Sequence, residues 1–293
     1  MHTIHPFLRV LFVALAAFFA APSWAATAIG EVAQVQAPAW LEREGGMRAL
    51  APGMPIYSGD RIRTGSNARV YLDFADGGRV KLGEFASFAV TSPSTAPQRL
   101  LQGVFDLAQG AFRYTTSLVA GKNRQRELAI KVGTATIGIR GTDVWGKAAA
   151  DRDLVALIEG RIELTRNGQA VPIQAMQVMD VEKAAASTVR PLDAATLARL
   201  AAQTDIAAGG GATAPKGSRG FPVVLEAAAT QGEALAMLDA LAAEGIAARV
   251  RVAGSGDAAR YTLHLGPFAS DDDARKVAVR AQVLTRRTAR IVK

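Results

Sequence analysis

Short segments in which apolar and polar residues alternate follow one another from Thr27 to about Val189. Alternation with a period of two predicts half-buried β-strands, because successive side chains of a strand point to opposite faces. Asp76-Gly77 and Asn167-Gly168 are predicted hairpin turns, since both pairs tolerate positive φ. So many short strands with close turns predict an all-β domain, either a barrel, a sandwich or a roll. The predicted strands are residues 29–36, 61–64, 68–74, 79–82, 87–90, 103–107, 111–115, 127–132, 134–139, 154–158, 161–166 and 177–181.

From Phe221 onward the pattern changes to strand, helix, strand, strand, helix, strand. Thr230 and Glu233 form a capping box at the start of the first helix, and Gly245 is placed to end it. Ser270 precedes an acidic turn and an apolar repeat with helical spacing, as expected for the second helix. This order predicts an α+β domain in which a four-stranded antiparallel sheet carries both helices on one face.

A helix and a linker are predicted between these two domains. Residues 192–202 place apolar residues on one side of a helix, with Asp193 as its N-cap. Residues 207–220 are rich in glycine, alanine and serine, which is typical of a flexible linker. We therefore predict a β domain over residues 26–190, the helix and linker over 191–220, and the α+β domain over 221–293.

The N-terminus has the features of a secretory signal peptide. Arg9 is its only side-chain cation, an apolar run follows over residues 10–21, and small residues stand at Ser23 and Ala25. The apolar run is about a dozen residues long, short of the roughly 20 that cross a bilayer. The sequence predicts that residues 1–25 are removed and that a soluble product without a membrane anchor reaches a bacterial periplasm.

Composition narrows the chemistry that this chain can carry. It has no cysteine, which excludes disulfides, thiolate metal sites and a cysteine nucleophile. Its formal net charge is +8, and the cations are spread along the chain. For an exported protein this charge favours anionic wall polymers or membrane surfaces over nucleic acid. Hydrophobic residues make up 49% of the chain, which is enough for two cores.

The predicted strands of the α+β domain divide into two faces by the same alternation. The core face would hold Val223, Leu225, Val250, Val252, Leu263, Leu265, Ala289 and Ile291. The opposite face, here called the open face, would hold Val224, Glu226, Arg249, Arg251, Thr262, His264 and Arg290. Because three arginines do not fit a buried surface, the open face meets either solvent or a ligand. Its seven residues are the candidate binding residues, and an ordinary solvated sheet face is the alternative.

The sequence contains no recognisable catalytic centre. His264 is the only histidine after the predicted cleavage site, and no Gly-x-Ser-x-Gly nucleophile elbow is present. The aspartates at 271–273 lack the spacing of an EF-hand calcium loop and fit the start of a helix. Trp40 and Trp145 are expected to pack in the core or at its rim. We predict a protein that is not an enzyme and has no cofactor or metal.

The C-terminal domain resembles a SPOR domain. The resemblance rests on Phe221-Pro222-Val223-Val224-Leu225, Gly245-Ile246-Ala247-Ala248, Tyr261-Thr262-Leu263-His264-Leu265-Gly266-Pro267-Phe268 and Ser270-Asp271-Asp272-Asp273-Ala274. SPOR domains typically bind septal peptidoglycan, especially glycan strands stripped of their peptides. The resemblance implies that the open face binds such strands and that the protein is enriched at the division septum.

The β domain resembles a FecR-type domain between residues 29 and 181. The resemblance rests on Ser58-Gly59-Asp60-Arg61-Ile62-Arg63-Thr64-Gly65, Val70-Tyr71-Leu72-Asp73-Phe74-Ala75-Asp76-Gly77 and Thr134-Ala135-Thr136-Ile137-Gly138-Ile139-Arg140-Gly141-Thr142-Asp143. Such domains occur in sigma-regulator proteins and other envelope proteins, which implies a protein or glycan partner for the β domain.

Two functions stay open at this point. One is a non-catalytic envelope protein that binds peptidoglycan through its C-terminal domain. The other is a periplasmic signal-sensing regulator whose SPOR-like domain has weak or no affinity for peptidoglycan. The second function is kept because Val224, Glu226, Ala228 and Thr262 replace residues that are usual in the family.

Overall fold

The computed structural model describes residues 27–75, 77–92, 102–116, 127–139, 141–182 and 187–292. The predicted signal peptide lies outside these ranges, as does Asp76 of the first predicted hairpin turn. Within them, no helix is both long and apolar enough to cross a membrane.

The first domain consists of two β-sheets that share one long strand and enclose one core. Its strands are β1 (Gly30–Gln36), β2 (Ala39–Arg43), β3 (Gly46–Ala49), β4 (Pro55–Ile56), β5 (Arg61–Thr64), β6 (Arg69–Phe74), β7 (Gly78–Leu82), β8 (Ser87–Thr91), β9 (Gln102–Thr116), β10 (Glu127–Val132), β11 (Ala135–Ile139), β12 (Asp143–Ala148), β13 (Arg152–Glu159), β14 (Arg161–Arg166), β15 (Gln169–Gln174), β16 (Gln177–Glu182) and β17 (Thr188–Pro191). One sheet has the order β4-β1-β6-β7-β9-β12-β13-β16-β17. The other has the order β3-β2-β5-β8-β9-β10-β11-β14-β15. The predicted all-β class is confirmed.

The shared strand β9 joins the two sheets. The sequence predicts separate strands over 103–107 and 111–115, but the structure has a single strand with Gly110 at its bend, where φ is +88°. A Cβ atom on Gly110 would lie 2.5 Å from the Cα of Ala86, so only glycine fits there. The part before Gly110 pairs with β8 and β10, and the part after it pairs with β7 and β12.

The sequence prediction lacks six of the observed strands, namely β2, β3, β4, β12, β15 and β17. The strand β12 shows one reason why a strand is not predicted. Five of the six residues of β12 are buried, because the strand lies between β9 and β13 and is covered on both faces. Trp145 lies on the same face as the charged Asp143 and Lys147, so polar and apolar residues do not alternate with a period of two. Trp145 of β12 is fully buried and packs in a small core with Leu200 of helix α1 (Ala194–Ala202). The expectation that Trp145 packs in the core is confirmed.

Asp60 fixes the turn before β5. Its carboxylate is 1% exposed and accepts hydrogen bonds from the Arg43 guanidinium at 2.6 Å and from the Tyr57 amide at 2.7 Å. The bond to Asp60 raises the pKa of Arg43. Because a buried carboxylate must be paired, the Ser58-Gly59-Asp60 segment serves the fold of the β domain.

The second domain has the predicted β-α-β-β-α-β order. Its elements are β18 (Phe221–Ala228), α2 (Gln231–Ala243), β19 (Ala248–Ala253), β20 (Arg260–Phe268), α3 (Asp271–Thr285) and β21 (Ala289–Ile291). The strands form an antiparallel sheet in the order β19-β20-β18-β21, and both helices pack on the same core as the sheet. The predicted fold class of this domain is confirmed.

The predicted caps hold the two helices of this domain. Thr230 Oγ1 accepts a bond from the Glu233 amide at 3.2 Å, and Ser270 Oγ accepts one from the Asp273 amide at 3.1 Å. Gly245 follows α2 with a φ of +62°. Helices commonly end at a residue in this left-handed conformation, which glycine adopts most readily.

Residues 207–220 differ from the flexible linker that the composition predicts. The Thr213 amide donates to the Val35 carbonyl at 2.7 Å, and the Val35 amide donates to Thr213 Oγ1 at 2.9 Å. On its other side, the Ala214 amide donates to the Pro267 carbonyl at 2.8 Å. The segment is therefore hydrogen-bonded to both domains. The composition did not indicate these bonds, because backbone groups, which every residue type carries, make most of them.

Asp273 holds the same segment from the second domain. Its side chain is 2% exposed, and Oδ1 accepts bonds from the amides of Gly211 at 2.7 Å and Ala212 at 3.0 Å. The hydroxyl of Ser270 donates to the other carboxylate oxygen at 2.5 Å. A carboxylate at the start of α3 thus fixes the chain that connects the domains.

The domains also touch directly. Trp40 Nε1 donates to the Ala242 carbonyl at the end of α2, at 2.9 Å. The backbone approaches so closely here that a Cβ atom on Gly245 would lie 2.6 Å from the Ala39 amide nitrogen. Trp40, which was expected in the core or at its rim, lies instead at the contact between the domains.

Candidate functional site

The open face is organised as rows that run across the sheet. The strand register places Arg249 of β19 opposite His264 of β20, His264 opposite Val224 of β18, and Val224 opposite Arg290 of β21. With neighbouring strands about 4.8 Å apart, the row from Arg249 to Arg290 spans roughly 14 Å. An arginine therefore stands at each end of a row that crosses all four strands.

A second row lies beside the first. Arg251 of β19 pairs with Thr262 of β20, and Thr262 Oγ1 lies 3.1 Å from Nε2 of His264. The ladder between β18 and β20 shifts after Leu225, where Glu226 is exposed and its amide donates to the Thr288 carbonyl. The structure thus gathers the predicted open-face residues on one surface, with Glu226 at an irregular position beside it.

Two residues do not follow the predicted division of the faces. Val224 was placed on the open face, but it is only 7% exposed, because it is a short side chain on a central strand between His264 and Arg290. Val252 was placed in the core, but it is 59% exposed, because it lies near the end of the edge strand β19. Because Val224 is covered, the accessible part of the open face is more polar than the sequence pattern predicts.

Positive charge dominates the open face. Arg249, Arg251 and Arg290 are exposed and have no carboxylate partner among the residues that the structure describes. Burial, and then the charge of Arg251, lower the pKa of His264 below its ordinary value. Unpaired arginines with a neutral histidine between them form a surface that favours an anionic ligand.

The acidic run at residues 271–273 belongs to the helix start. Asp271 forms an ion pair with Arg275 one turn later, and Asp273 receives the two amides of the connecting segment. No group of three or more metal-binding side chains occurs in the described ranges. These contacts agree with the expectation that the aspartates start a helix.

The sequence did not indicate a cleft at one end of the open face. Its volume is about 390 Å³, and we call it the interdomain cleft. It is lined by Ala49, Ala51, Pro52 and Met54 of the β domain, Ala214, Pro215, Lys216, Gly217 and Ser218 of the connecting segment, and Ala247, Ala248, Arg249, His264, Gly266 and Pro267 of the second domain. No alternation or spacing signal could have found it, because its walls come from three distant parts of the chain.

Two family models match the chain. The model described as FecR protein matches residues 60–163, and the model described as SPOR domain matches residues 217–290. The chain therefore carries a FecR domain followed by a SPOR domain, as the sequence predicted. Both are binding or regulatory domains typical of periplasmic envelope proteins. No curated protein sequence matches the chain.

Two solved structures resemble part of the chain. Each is the crystal structure of a protein from Parabacteroides distasonis ATCC 8503 that is provisionally assigned as an anti-sigma factor, one at 1.65 Å resolution and the other at 2.50 Å. The first has 12% identity and a TM-score of 0.41, covering 47% of this chain and 62% of its own. The second has 11% identity and a TM-score of 0.41, covering 62% of this chain and 73% of its own.

Proposed function

We propose that the protein is a non-catalytic component of the periplasm that binds the glycan strands of peptidoglycan through the open face of its SPOR domain. Peptide-free strands are the preferred ligand, because the sugar backbone and the lactyl carboxylates of muramic acid are then accessible. The FecR domain is held against the SPOR domain and presents a surface to a further envelope component.

The observation that carries this proposal is the set of three unpaired arginines on the open face. Arg249, Arg251 and Arg290 are exposed and have no carboxylate partner in the described part of the chain. A guanidinium group can donate two parallel bonds to a carboxylate and single bonds to sugar hydroxyls. Glycan strands offer both groups along an extended chain.

Co-sedimentation with purified sacculi tests the proposal directly. The protein without residues 1–25 is mixed with two preparations of sacculi. One has been treated with an amidase that removes the stem peptides, and the other has not. We expect more protein in the pellet with amidase-treated sacculi, and less binding as salt is raised, since exposed charges are screened. Equal amounts of protein in the pellet with and without sacculi would contradict the proposal.

The pH dependence of binding should report on His264. Its pKa in the free protein is lowered, so the ring is neutral at pH 7, and a bound carboxylate would raise that pKa. Binding then takes up a proton, and affinity should rise as the pH falls from about 7.5 toward about 5.5. The variant His264→Gln keeps a hydrogen-bonding group without a titratable charge and should lose this slope. Binding isotherms at several pH values measure it, and an unchanged slope would exclude His264 from the site.

A regulatory role of the FecR domain is the second candidate function, and the family match over residues 60–163 favours it. The two functions differ in where the protein resides. A wall-bound protein, fused to a fluorescent protein that folds in the periplasm, should concentrate at division sites, as septal glycan binding requires. A sensor without affinity for the wall should be distributed evenly in the periplasm.

A further inference from the structure

The interdomain cleft continues the open face beyond the SPOR domain. Arg249 and His264 belong both to the first row of the open face and to the cleft wall. A volume of about 390 Å³ lies within the range of roughly 300–1,000 Å³ that is typical of ligand sites, which occur preferentially between domains. A chain that lies along the row is thus directed into the cleft.

The lining of the cleft combines apolar walls with cations. Pro52, Met54 and Pro267 provide apolar surface, and small residues leave room between them. Arg249 and Lys216 provide positive charge, and Lys216 also forms an ion pair with Glu31. A sugar ring has apolar C–H faces and hydroxyl edges, and a muramic acid ring adds a carboxylate, so this lining fits an acidic sugar.

The walls of the cleft are fixed in position by the contacts between the domains. Thr213 is hydrogen-bonded to the β domain, and Ala214, the first cleft residue of the connecting segment, is hydrogen-bonded to the SPOR domain. Trp40 joins the β domain to the end of α2. A site whose walls are held in this way needs little ordering when a ligand binds, which favours affinity.

We infer that the interdomain cleft is a binding subsite for an acidic sugar of a glycan strand, and that the FecR domain forms one of its walls. This inference rests on the proposed function and extends it, because it assigns part of wall recognition to residues outside the SPOR domain. In this arrangement Lys216 and Arg249 hold the carboxylate, and the loop that contains Ala51 and Met54 packs against the sugar ring.

Calorimetry of the binding of two short oligosaccharides to variants of the two-domain protein without residues 1–25 tests the subsite. The probes are a muramic-acid-containing tetrasaccharide and an N-acetylglucosamine tetramer, which has no carboxylate. Lys216→Ala removes one charged hydrogen bond and should weaken binding of the acidic probe by about tenfold. Arg219→Ala is the matched control, because Arg219 is an exposed cation of the same segment that does not line the cleft.

A second pair of variants tests the shape of the cleft. Ala51→Trp fills it from the β domain and should weaken binding of the acidic probe by a similar factor. Ala170→Trp adds the same bulk at an exposed position of β15 that does not line the cleft, and should leave binding unchanged. Thermal unfolding of each variant shows whether the fold is retained.

The outcomes separate this inference from the proposed function. If Lys216→Ala and Ala51→Trp both bind the acidic probe with wild-type affinity, and the wild-type protein binds sacculi, the subsite is overturned and the proposed function stands. Equal affinity of the wild-type protein for the two probes overturns the assignment to an acidic sugar. Failure of the wild-type protein to bind sacculi overturns the proposed function, and the subsite with it.

Discussion

Replacing Asp273 with alanine is expected to release the connecting segment and to destabilise the protein by about 2 kcal/mol or more. The carboxylate is buried and accepts bonds from the amides of Gly211 and Ala212. Without it, two buried N–H donors have no acceptor, and each such group costs about 1–3 kcal/mol. The hydroxyl of Ser270 loses a partner as well.

Two measurements check this expectation. Limited proteolysis should cut Asp273→Ala within residues 207–220 and leave the wild-type protein intact there, and denaturant unfolding should show the lower stability. Asp272→Ala is the matched control, because it removes the same charge from the same helix turn at an exposed position. Rapid cleavage of the wild-type protein within this segment would show that the segment is mobile and that its bonds to both domains do not persist.

The SPOR domain could be predicted almost completely from the sequence, because its signals are local. A capping residue and a glycine at the helix end are local signals, and the structure confirms them at Thr230 and Gly245. The Glu233 carboxylate also reaches back across the helix start, but it accepts its bond from the Ala229 amide and not from the Thr230 amide that the capping box predicts. The alternation in the strands is a local signal as well, and it placed Arg249, Arg251, Thr262, His264 and Arg290 on one surface.

The contact between the domains could not be predicted, because it depends on groups that are distant in sequence. Thr213 and Val35 are far apart in the chain and are joined through backbone amides and one hydroxyl. Small residues over 207–220 indicate flexibility when they are considered alone. In the folded protein they allow close packing, as at Gly220, where a Cβ atom would lie 2.4 Å from the Phe268 carbonyl oxygen.

The exceptions on the open face have a similar cause. Alternation states which side of the sheet a side chain faces, but it does not state how much of that side chain is covered. Val224 is covered because its strand is central, and Val252 is exposed because its strand is at the edge. Strand order, which the alternation pattern does not contain, decides both.

The double variant Arg249→Ala, Arg251→Ala is expected to lower affinity for peptide-free sacculi by at least about tenfold. Both side chains are exposed on β19, and neither has a carboxylate partner in the described ranges, so their loss leaves the fold unchanged. A hydrogen bond to a charged group contributes about 1.5–3 kcal/mol, and a factor of ten in affinity corresponds to about 1.4 kcal/mol. Loss of a single such bond is therefore sufficient for the expected effect.

Two controls distinguish glycan recognition by the open face from attraction by the overall charge of the protein and from loss of the domain's stability. Arg161→Ala, Arg190→Ala removes the same charge from exposed positions of the β domain and should retain most of the binding. Leu263→Ala alters a fully buried neighbour of Thr262 and should destabilise the domain by about 2–5 kcal/mol. Sacculus binding by the Arg249→Ala, Arg251→Ala variant at the wild-type level would exclude this part of the open face from the site. An equal loss in the two double variants would show that overall charge, and not this surface, attracts the protein to the wall.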